Sequence, residues 1–226
     1  MKPKLQLALD TFDLPAALAP MQSARDHIDV VEAGTILCYA EGMHAVRALR
    51  ALYPEKTLLA DVRIAEAGSI IAKLAFEAGA DWVSVVSGAT LTTVEVVLKA
   101  AEKHGGEAQL ELIDGWTWDD AKVWRDLGVS WVITHRSRDG EAALKGQGGD
   151  LSWKDRDFDE MRRLSEMSFK VSVAGGVTAE DLSLFAGVPV DLFTVGRAIR
   201  DAENPAAAAA AFQEAIAETY GEVAAQ

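Results

Sequence analysis

The sequence predicts an α/β protein, a (β/α)8 TIM barrel that forms a single domain over residues 1–226. Eight short apolar runs alternate with longer amphipathic stretches, and repeated βα units give parallel strands joined by right-handed crossovers. Most of the runs are continuously apolar, as expected of strands covered on both faces. A chain of 226 residues also suits one barrel with short loops, because such barrels range upward from about 200 residues.

The elements can be placed along the chain. The predicted strands are Leu5–Leu9, Ile28–Ala33, Thr57–Ala60, Trp82–Val86, Ala108–Leu112, Trp131–Thr134, Lys170–Val173 and Leu192–Val195. The predicted helices are Leu14–Arg25, Gly42–Leu52, Glu66–Ala78, Thr90–His104, Thr117–Leu127, Asp155–Met167, Thr178–Phe185 and Pro205–Glu218. The segment Gly140–Gly149 is rich in glycine and polar residues, which predicts a mobile loop after the sixth strand.

Composition excludes several classes of partner. A net charge of -13 argues against nucleic acid and against anionic membranes, since both attract basic surfaces. No apolar run approaches the 18 residues of a membrane span, and the first residues show no signal-peptide pattern. The one cysteine, Cys38, cannot form an internal disulfide, which indicates a reducing compartment and predicts a cytoplasmic protein. We interpret Cys38 as a small buried residue and not as a nucleophile.

Charged residues cluster at the carboxyl ends of the predicted strands, where barrel enzymes carry their catalytic groups. Those of interest are Asp10, Glu32, Asp61 with Arg63 and Glu66, Glu111, and His135 with Arg136 and Arg138. Structural roles compete with function at four of them. Asp10 could cap the following helix and Glu66 could occupy a first helical turn. His135 could be a satisfied structural histidine, and Arg136 is interpreted as a solvated charge.

Two of these carboxylates suit a hard cation. Glu32 and Asp61 end adjacent strands, and both follow apolar residues, where an unpaired carboxylate would be costly. Two carboxylates completed by water and substrate oxygens are typical of Mg2+. Zinc is disfavoured, because no cluster of histidine or cysteine ligands is present.

Glycine turns follow the last two strands. Barrels often bind phosphate at these places, through backbone N–H groups and the start of a short helix. Gly175 and Gly176 end the seventh strand, and Gly196 precedes Arg197 at the end of the eighth. Glycine lets the backbone approach a phosphate, and Arg197 adds paired donors. The sequence therefore predicts a small phosphorylated substrate.

The chain resembles the 3-keto-L-gulonate-6-phosphate decarboxylases, which belong to the orotidine-monophosphate-decarboxylase-like barrels together with the hexulose-phosphate synthases. The likeness runs nearly end to end. The segments that carry it are Leu7–Asp10, Glu32–Cys38, Leu59–Asp61, Glu111, Gly115–Trp118, His135–Asp139, Gly175–Gly176, Gly196–Arg197 and Ile199–Asp201. The run His-Arg-Ser-Arg-Asp at 135–139 is the most specific, since the synthases differ there.

The resemblance implies a Mg2+-assisted loss of CO2 from a phosphorylated 3-keto sugar acid, through a cis-enediolate, to L-xylulose 5-phosphate, as part of ascorbate catabolism. It implies that Glu32 and Asp61 hold the metal and that His135 and Arg138 position or relay a proton through water. It further implies a homodimer with shared active sites. The implied substrate contacts are Asp10, Glu111, Gly175, Gly176, Gly196 and Arg197, and the implied strand-three catalytic residues are Arg63 and Glu66, the latter supplied to the neighbouring subunit.

The sequence departs from this family in two places. The strand-three motif Asp-x-Lys-x-x-Asp is here Asp61-Val62-Arg63-Ile64-Ala65-Glu66. Arginine keeps the positive charge, but it cannot exchange a proton as lysine can, and its planar fork is wider. Ala174 stands where the family's decarboxylases carry threonine and the synthases carry alanine. Two alternatives therefore stay open, an aldolase of the hexulose-phosphate synthase type and a phosphosugar-binding barrel without turnover.

Overall fold

The computed structural model of the protein describes residues 2–221. Its eight strands form one closed parallel barrel in the order β1 to β8, with helices between them. The predicted fold class, an α/β (β/α)8 TIM barrel, is confirmed. Residues 1 and 222–226 of the predicted domain lie outside the described residues.

Each strand pairs with its neighbour in the chain, and β1 closes the barrel by pairing with β8. The strands are β1 (Lys4–Leu9), β2 (Val30–Ala33), β3 (Thr57–Ile64), β4 (Trp82–Val86), β5 (Glu107–Leu112), β6 (Trp131–His135), β7 (Lys170–Ala174) and β8 (Leu192–Val195). The pairing is regular except between β3 and β4, where the register shifts between Ala60 and Ile64.

Ten α-helices and two 3-10 helices cover the described part of the barrel. The α-helices are α1 (Leu14–Ala24), α2 (Thr35–Glu41), α3 (Met43–Leu52), α4 (Gly68–Glu77), α5 (Leu91–His104), α6 (Trp118–Leu127), α7 (Arg138–Gly146), α8 (Asp155–Glu166), α9 (Arg197–Arg200) and α10 (Pro205–Tyr220). The 3-10 helices are Arg25–His27 and Glu180–Phe185.

Side-chain caps set the starts of several helices. The side chains of Asp13, Thr90 and Asn204 each accept a hydrogen bond from the first turn of α1, α5 and α10, respectively. Thr117 and Asp120 form a reciprocal capping box at the start of α6. Such caps satisfy backbone N–H groups that have no partner within the helix. Because Asp13 caps α1, Asp10 remains available for another role.

An apolar layer closes the amino-terminal end of the barrel. It consists of five buried side chains, Val30, Leu59, Trp82, Trp131 and Leu192. The rings of Trp82 and Trp131 lie 5.2 Å apart between centroids. Because this layer fills the amino-terminal part of the lumen, the lumen is open toward the carboxyl ends of the strands.

The predicted mobile loop Gly140–Gly149 is wrong over most of its length, because α7 runs to Gly146. Ser137 caps this helix by accepting a hydrogen bond from the N–H of Gly140. Acidic residues occupy its first turn and Lys145 its last turn, as the helix dipole favours. The glycines that suggested a loop lie in the first turn or near the end, where they weaken a helix little.

Several other predicted boundaries differ, by up to four residues. Gly42, with φ of 58°, ends the unpredicted helix α2, so the predicted helix Gly42–Leu52 begins one residue later. The predicted helix Glu66–Ala78 starts at Gly68, which leaves Glu66 outside the first turn. The strand predicted to end at Ala60 continues to Ile64, and Thr178–Phe185 forms a 3-10 helix from Glu180. Within residues 2–221, no helix is long and apolar enough to cross a membrane.

Candidate active site

A cavity of about 690 Å³ opens at the carboxyl ends of the strands. Its walls come from the ends of seven strands and from the segments that follow them. Eleven of the twelve residues that the sequence predicted for the site line it. They are Asp10, Glu32, Asp61, Arg63, Glu111, His135, Arg138, Gly175, Gly176, Gly196 and Arg197.

Asp10 links the first strand to three later parts of the chain. Its Oδ1 accepts a hydrogen bond from the N–H of Ile36 at 3.2 Å, and its Oδ2 lies 3.0 Å from Arg138 Nη2. Arg200 donates to its backbone carbonyl at 2.9 Å. The carboxylate fits there because position 34 is glycine, since a Cβ on Gly34 would lie 2.5 Å from Oδ1. Asp10 is thus a member of the site.

Asp61 lies inside β3, where the register with β4 shifts. Its Oδ1 accepts from Ser84 Oγ at 2.6 Å, and its Oδ2 accepts from the hydroxyl of Thr35. The same Ser84 hydroxyl accepts the N–H of Arg63 at 2.8 Å. Arg63 has a φ of 43°, a left-handed conformation that is uncommon outside glycine. The irregular end of β3 therefore brings both Asp61 and Arg63 to the cavity.

One buried carboxylate joins two candidate catalytic groups. Glu111 Oε1 lies 2.8 Å from Arg63 Nη2 and 2.6 Å from His135 Nδ1. The Glu111 side chain is 5% exposed, whereas those of Arg63 and His135 are 38% and 27% exposed. An ionised Glu111 only accepts hydrogen bonds, so the proton in this pair belongs to Nδ1 of His135. The other ring nitrogen, Nε2, is then left for a ligand or water.

The acidic groups of the cavity repel one another. Burial and the nearby charges of Asp61 and Asp10 raise the pKa of Glu32 well above its ordinary value, although a hydrogen bond from Gln6 Nε2 opposes this. Burial also raises the pKa of Asp61, against the hydrogen bonds from Ser84 and Thr35. A buried pair of carboxylates with raised pKa values indicates a site whose negative charge lacks full compensation.

A hard cation fits this donor set. Within residues 2–221, no group of three or more histidine, cysteine, aspartate or glutamate side chains could hold a metal ion alone. Glu32 and Asp61 both line the cavity, so a cation there would take two carboxylates from the protein and its remaining ligands from water or substrate oxygens. Mg2+ binds in this way, because it dehydrates reluctantly and keeps several water ligands.

The last two strands end in the predicted glycine turns. Gly175 and Gly176 have φ values of 91° and 66°, and a Cβ on Gly175 would lie 2.5 Å from the carbonyl oxygen of Arg136. Only glycine lets the backbone at position 175 lie this close to Arg136 without strain. Gly196 precedes the short helix α9, which begins at Arg197. Arg197 Nη2 lies 3.2 Å from Glu141 Oε2.

Two residues named from the sequence do not join the charged network of the cavity, although Arg136 lines its wall. Glu66 is exposed and does not line the cavity of its own chain. Arg136 is not the solvated charge that the sequence suggested. Its guanidinium lies 3.5 Å from the ring centroid of Trp153, and it donates to the carbonyl groups of Leu151 and Ser152. Arg136 therefore anchors the segment that leads into α8.

Sequence reasoning missed four residues of the site, Gln6, Thr35, Ser84 and Glu141. A signal existed for two of them, because Gln6 and Ser84 interrupt apolar strands and are nonetheless buried. A polar residue at such a position points to a partner in the lumen. Thr35 and Glu141 carry no comparable signal, since each meets its partner only in the folded barrel.

Cys38 agrees with its interpretation as a structural residue. It is half-buried, and its Sγ lies 3.2 Å from the carbonyl oxygen of Ala33. Burial and the nearby charges of Asp61 and Glu32 raise the pKa of Cys38 to about 12. The thiol is therefore protonated near neutral pH, which removes its nucleophilic form.

Comparison with known proteins places this barrel among enzymes. Residues 3–212 match the family described as Orotidine 5'-phosphate decarboxylase / HUMPS. The chain belongs to this family. It is 45% identical over 219 residues to the 3-keto-L-gulonate-6-phosphate decarboxylase UlaD of Salmonella paratyphi B, a match that covers 97% of this chain and 99% of the relative.

Two solved structures of this family show the same barrel. KGPDC from Streptococcus mutans, in complex with a phosphosugar, has a TM-score of 0.92 and 41% identity, over 98% of this chain and 100% of that chain. The 3-hexulose-6-phosphate synthase of Salmonella typhimurium has a TM-score of 0.86 and 28% identity, over 96% and 99%. The predicted resemblance is confirmed, as is the prediction of an enzyme of the carboxy-lyase class.

Proposed function

We propose that the protein decarboxylates 3-keto-L-gulonate 6-phosphate, or a close phosphorylated 3-keto sugar acid, to L-xylulose 5-phosphate and CO2. The observation that carries this proposal is the Arg63–Glu111–His135 network beside the carboxylates of Glu32 and Asp61. The 45% identity to a named decarboxylase supports the same reaction. By this proposal the enzyme acts in ascorbate catabolism.

The glycine turns would bind the phosphate. The hydrogen bonds found among the described residues include none donated by the backbone N–H groups of Gly176, Val177 and Gly196. These donors border the cavity, as does the guanidinium of Arg197. A phosphate held at this corner would direct the keto acid toward Glu111 and His135, across the mouth of the barrel.

The keto acid would lose its carboxylate near Arg63. The bond between the carboxylate carbon and C2 breaks, CO2 leaves, and the electron pair passes onto the C3 ketone oxygen to give an enediolate. The Arg63 guanidinium stabilises the charge that develops there, because a fixed donor in a partly buried site requires little reorganisation. Glu111 uses Oε1 for Arg63 and His135, which leaves Oε2 to accept a substrate hydroxyl.

Protonation of C2 then completes the reaction. His135 holds Nδ1 against Glu111, so Nε2 is the nitrogen that can exchange a proton with water in the cavity. Arg138, fixed by Asp10 at 3.0 Å, would position that water. C2 thereby becomes C1 of L-xylulose 5-phosphate.

Mg2+ is part of the proposal, with Glu32 and Asp61 as its protein ligands. When bound, it would act as a Lewis acid toward the oxygens that gain negative charge. The protein prepares this site in two ways. Gln6 orients Glu32, and the hydroxyl groups of Ser84 and Thr35 orient Asp61, as outer hydrogen bonds commonly do for metal ligands.

We also propose a homodimer with shared active sites, in which Glu66 reaches the cavity of the second copy. Its exposure outside its own cavity supports this arrangement. A cytoplasmic location stays a prediction from the cysteine content.

The test is turnover of 3-keto-L-gulonate 6-phosphate with Mg2+, followed by CO2 release and by identification of the sugar product. Turnover that disappears with EDTA and returns with Mg2+ supports the proposal. Replacement of His135 by glutamine should lower kcat by about 100-fold, in the range expected for loss of a general acid or base. His44→Gln, on the exposed face of α3, is the matched control and should retain wild-type kcat.

Two results would argue against this reaction. Condensation of formaldehyde with ribulose 5-phosphate, without decarboxylation, would favour an aldolase of the hexulose-phosphate synthase type. Ala174 agrees with that alternative, because the synthases carry alanine at this position. Tight phosphosugar binding with neither activity would favour a binding barrel.

A further inference from the structure

Helix α7 has one side chain that is largely covered by the barrel. Of its nine residues, Arg138–Gly146, all are exposed except Glu141. The Glu141 side chain is only 14% exposed, although α7 is otherwise a polar surface helix. A carboxylate is seldom the residue that a helix buries, unless it finds a partner there.

The partner of Glu141 lies at the corner of the cavity formed by the glycine turns. Its Oε2 lies 3.2 Å from Arg197 Nη2. Its Oε1 lies against the backbone of Gly176, so closely that a Cβ on that glycine would overlap it. Glu141 therefore packs between the arginine and the glycine turn, and it lines the cavity together with them.

A carboxylate in this place resembles a phosphate in chemistry. Both are anions with oxygen acceptors, and both pair with a guanidinium. The same position cannot hold Glu141 and a phosphate at once. Two anions so close together would also repel each other, because like charges brought together are unfavourable.

We propose that Glu141 occupies the position that the substrate phosphate takes and competes with this phosphate for Arg197. Binding of a phosphorylated ligand then requires Glu141 to leave, and α7 to shift with it. Glu141 thus lowers the affinity of the site for every phosphorylated ligand by a similar factor. This inference rests on the proposed phosphate site, although its test does not depend on decarboxylation.

The remaining contacts of α7 allow such a shift. No residue of α7 is buried, so little apolar surface holds the helix in place. Its other tie to the barrel is the pair Arg138–Asp10, and the Arg138 side chain is 54% exposed. Elements held mainly by exposed polar contacts belong to the least stable parts of a fold.

The test measures binding of inorganic phosphate and of D-ribulose 5-phosphate by calorimetry, for wild type and for Glu141→Gln. Glutamine keeps the length of the side chain and loses the charge. We expect it to tighten both ligands by about 3- to 10-fold, because a partly exposed ion pair of modest strength no longer has to be broken. Glu95→Gln, which removes the exposed pair Glu95–Lys99 on α5, is the matched control and should bind as wild type does.

A second measurement reports on α7 itself. Hydrogen exchange of residues 138–146 should become faster when phosphate binds the wild type, because the ligand displaces Glu141. In Glu141→Gln the same amides should exchange faster already without ligand. In turnover, the variant should lower KM and change kcat by less than about twofold, as expected when binding of the ground state and binding of the transition state change equally.

Weaker or unchanged binding by Glu141→Gln would overturn the inference, since it would mean that Glu141 supports Arg197 or has no part in the site. This outcome is separable from failure of the proposed function. Tighter phosphate binding without decarboxylation would leave the role of Glu141 intact and reject the substrate. Decarboxylation by wild type, with an unchanged phosphate affinity in the variant, would support the substrate and reject the role of Glu141.

Discussion

Replacement of Gly34 by alanine should damage the site through a single methyl group. The new Cβ would lie 2.5 Å from Asp10 Oδ1, 2.9 Å from its Cγ and 3.0 Å from its backbone nitrogen. Ordinary contact begins at 3.4 Å, so the carboxylate oxygen would have to move by about 0.9 Å. Gly34 has a φ of -62°, which alanine adopts freely, so the effect is one of contact and not of backbone strain.

The displacement would loosen both hydrogen bonds of the Asp10 side chain, to Ile36 N–H and to Arg138. Overpacking of this kind costs about 1–3 kcal/mol. For a chain of this size, 1 kcal/mol corresponds to about 2–4 °C, so a cost near 2 kcal/mol would lower the melting temperature by about 4–8 °C. We expect kcat/KM to fall by about 100-fold, which is typical when catalytic groups shift by about 1 Å.

Calorimetric melting and steady-state kinetics measure these effects. The matched control is Gly146→Ala, because a Cβ on Gly146 meets nothing within 4 Å and alanine favours a helix by up to about 1 kcal/mol. In an Asp10→Ala background, the additional effect of Gly34→Ala on kcat/KM should shrink below about fivefold, because neighbouring changes are not additive. If Gly34→Ala still lowered kcat/KM by about 100-fold in the Asp10→Ala background, the argument from contact with the carboxylate would be refuted.

The charges around the cavity lead to three more expectations. Arg63→Met should lower kcat/KM by about 100-fold, because it removes a donor from the developing charge, and kinetics equal to wild type would exclude a catalytic role. Since the folded state raises the pKa of Glu32, ionisation there destabilises the fold as pH rises. Glu32→Gln should therefore have a higher melting temperature than wild type in EDTA at pH 8. The difference in melting temperature should disappear as the pH falls toward 4.5. Addition of Mg2+ should raise the melting temperature of wild type only. Cys38, with its pKa near 12, should resist iodoacetamide at pH 8, and rapid alkylation would contradict the assigned burial.

The architecture could be predicted from the sequence because the signal is periodic. Continuous apolar runs such as Trp131–Thr134 identify strands covered on both faces. The ends of these runs then identify the cavity, because every strand of a parallel barrel ends at the same rim. His135 and Glu111 could be assigned to one site for this reason alone, although 24 residues separate them.

Features that depend on pairing between distant segments could not be predicted. The strand β3 continues past Ala60 through a shifted register with β4, and no local pattern encodes that shift. Glu141 meets Arg197 across 56 residues, and a prediction based on the local glycines missed the helix that carries it. Burial of Gln6 could have been inferred, since it lies between apolar residues of β1, but its bond to Glu32 requires the pairing of β1 with β2.

The contacts of Asp10 have a consequence for synthesis of the chain on the ribosome. Asp10 is made long before its partners Arg138 and Arg200, which follow 128 and 190 residues later. Strand β1 likewise waits for β8 before the barrel can close. A nascent chain that ends before β8 would therefore expose one edge of β1 and would lack Arg197, Arg200 and the corner between the last two strands. Translation must pass β8 and Arg200 before a complete site can exist.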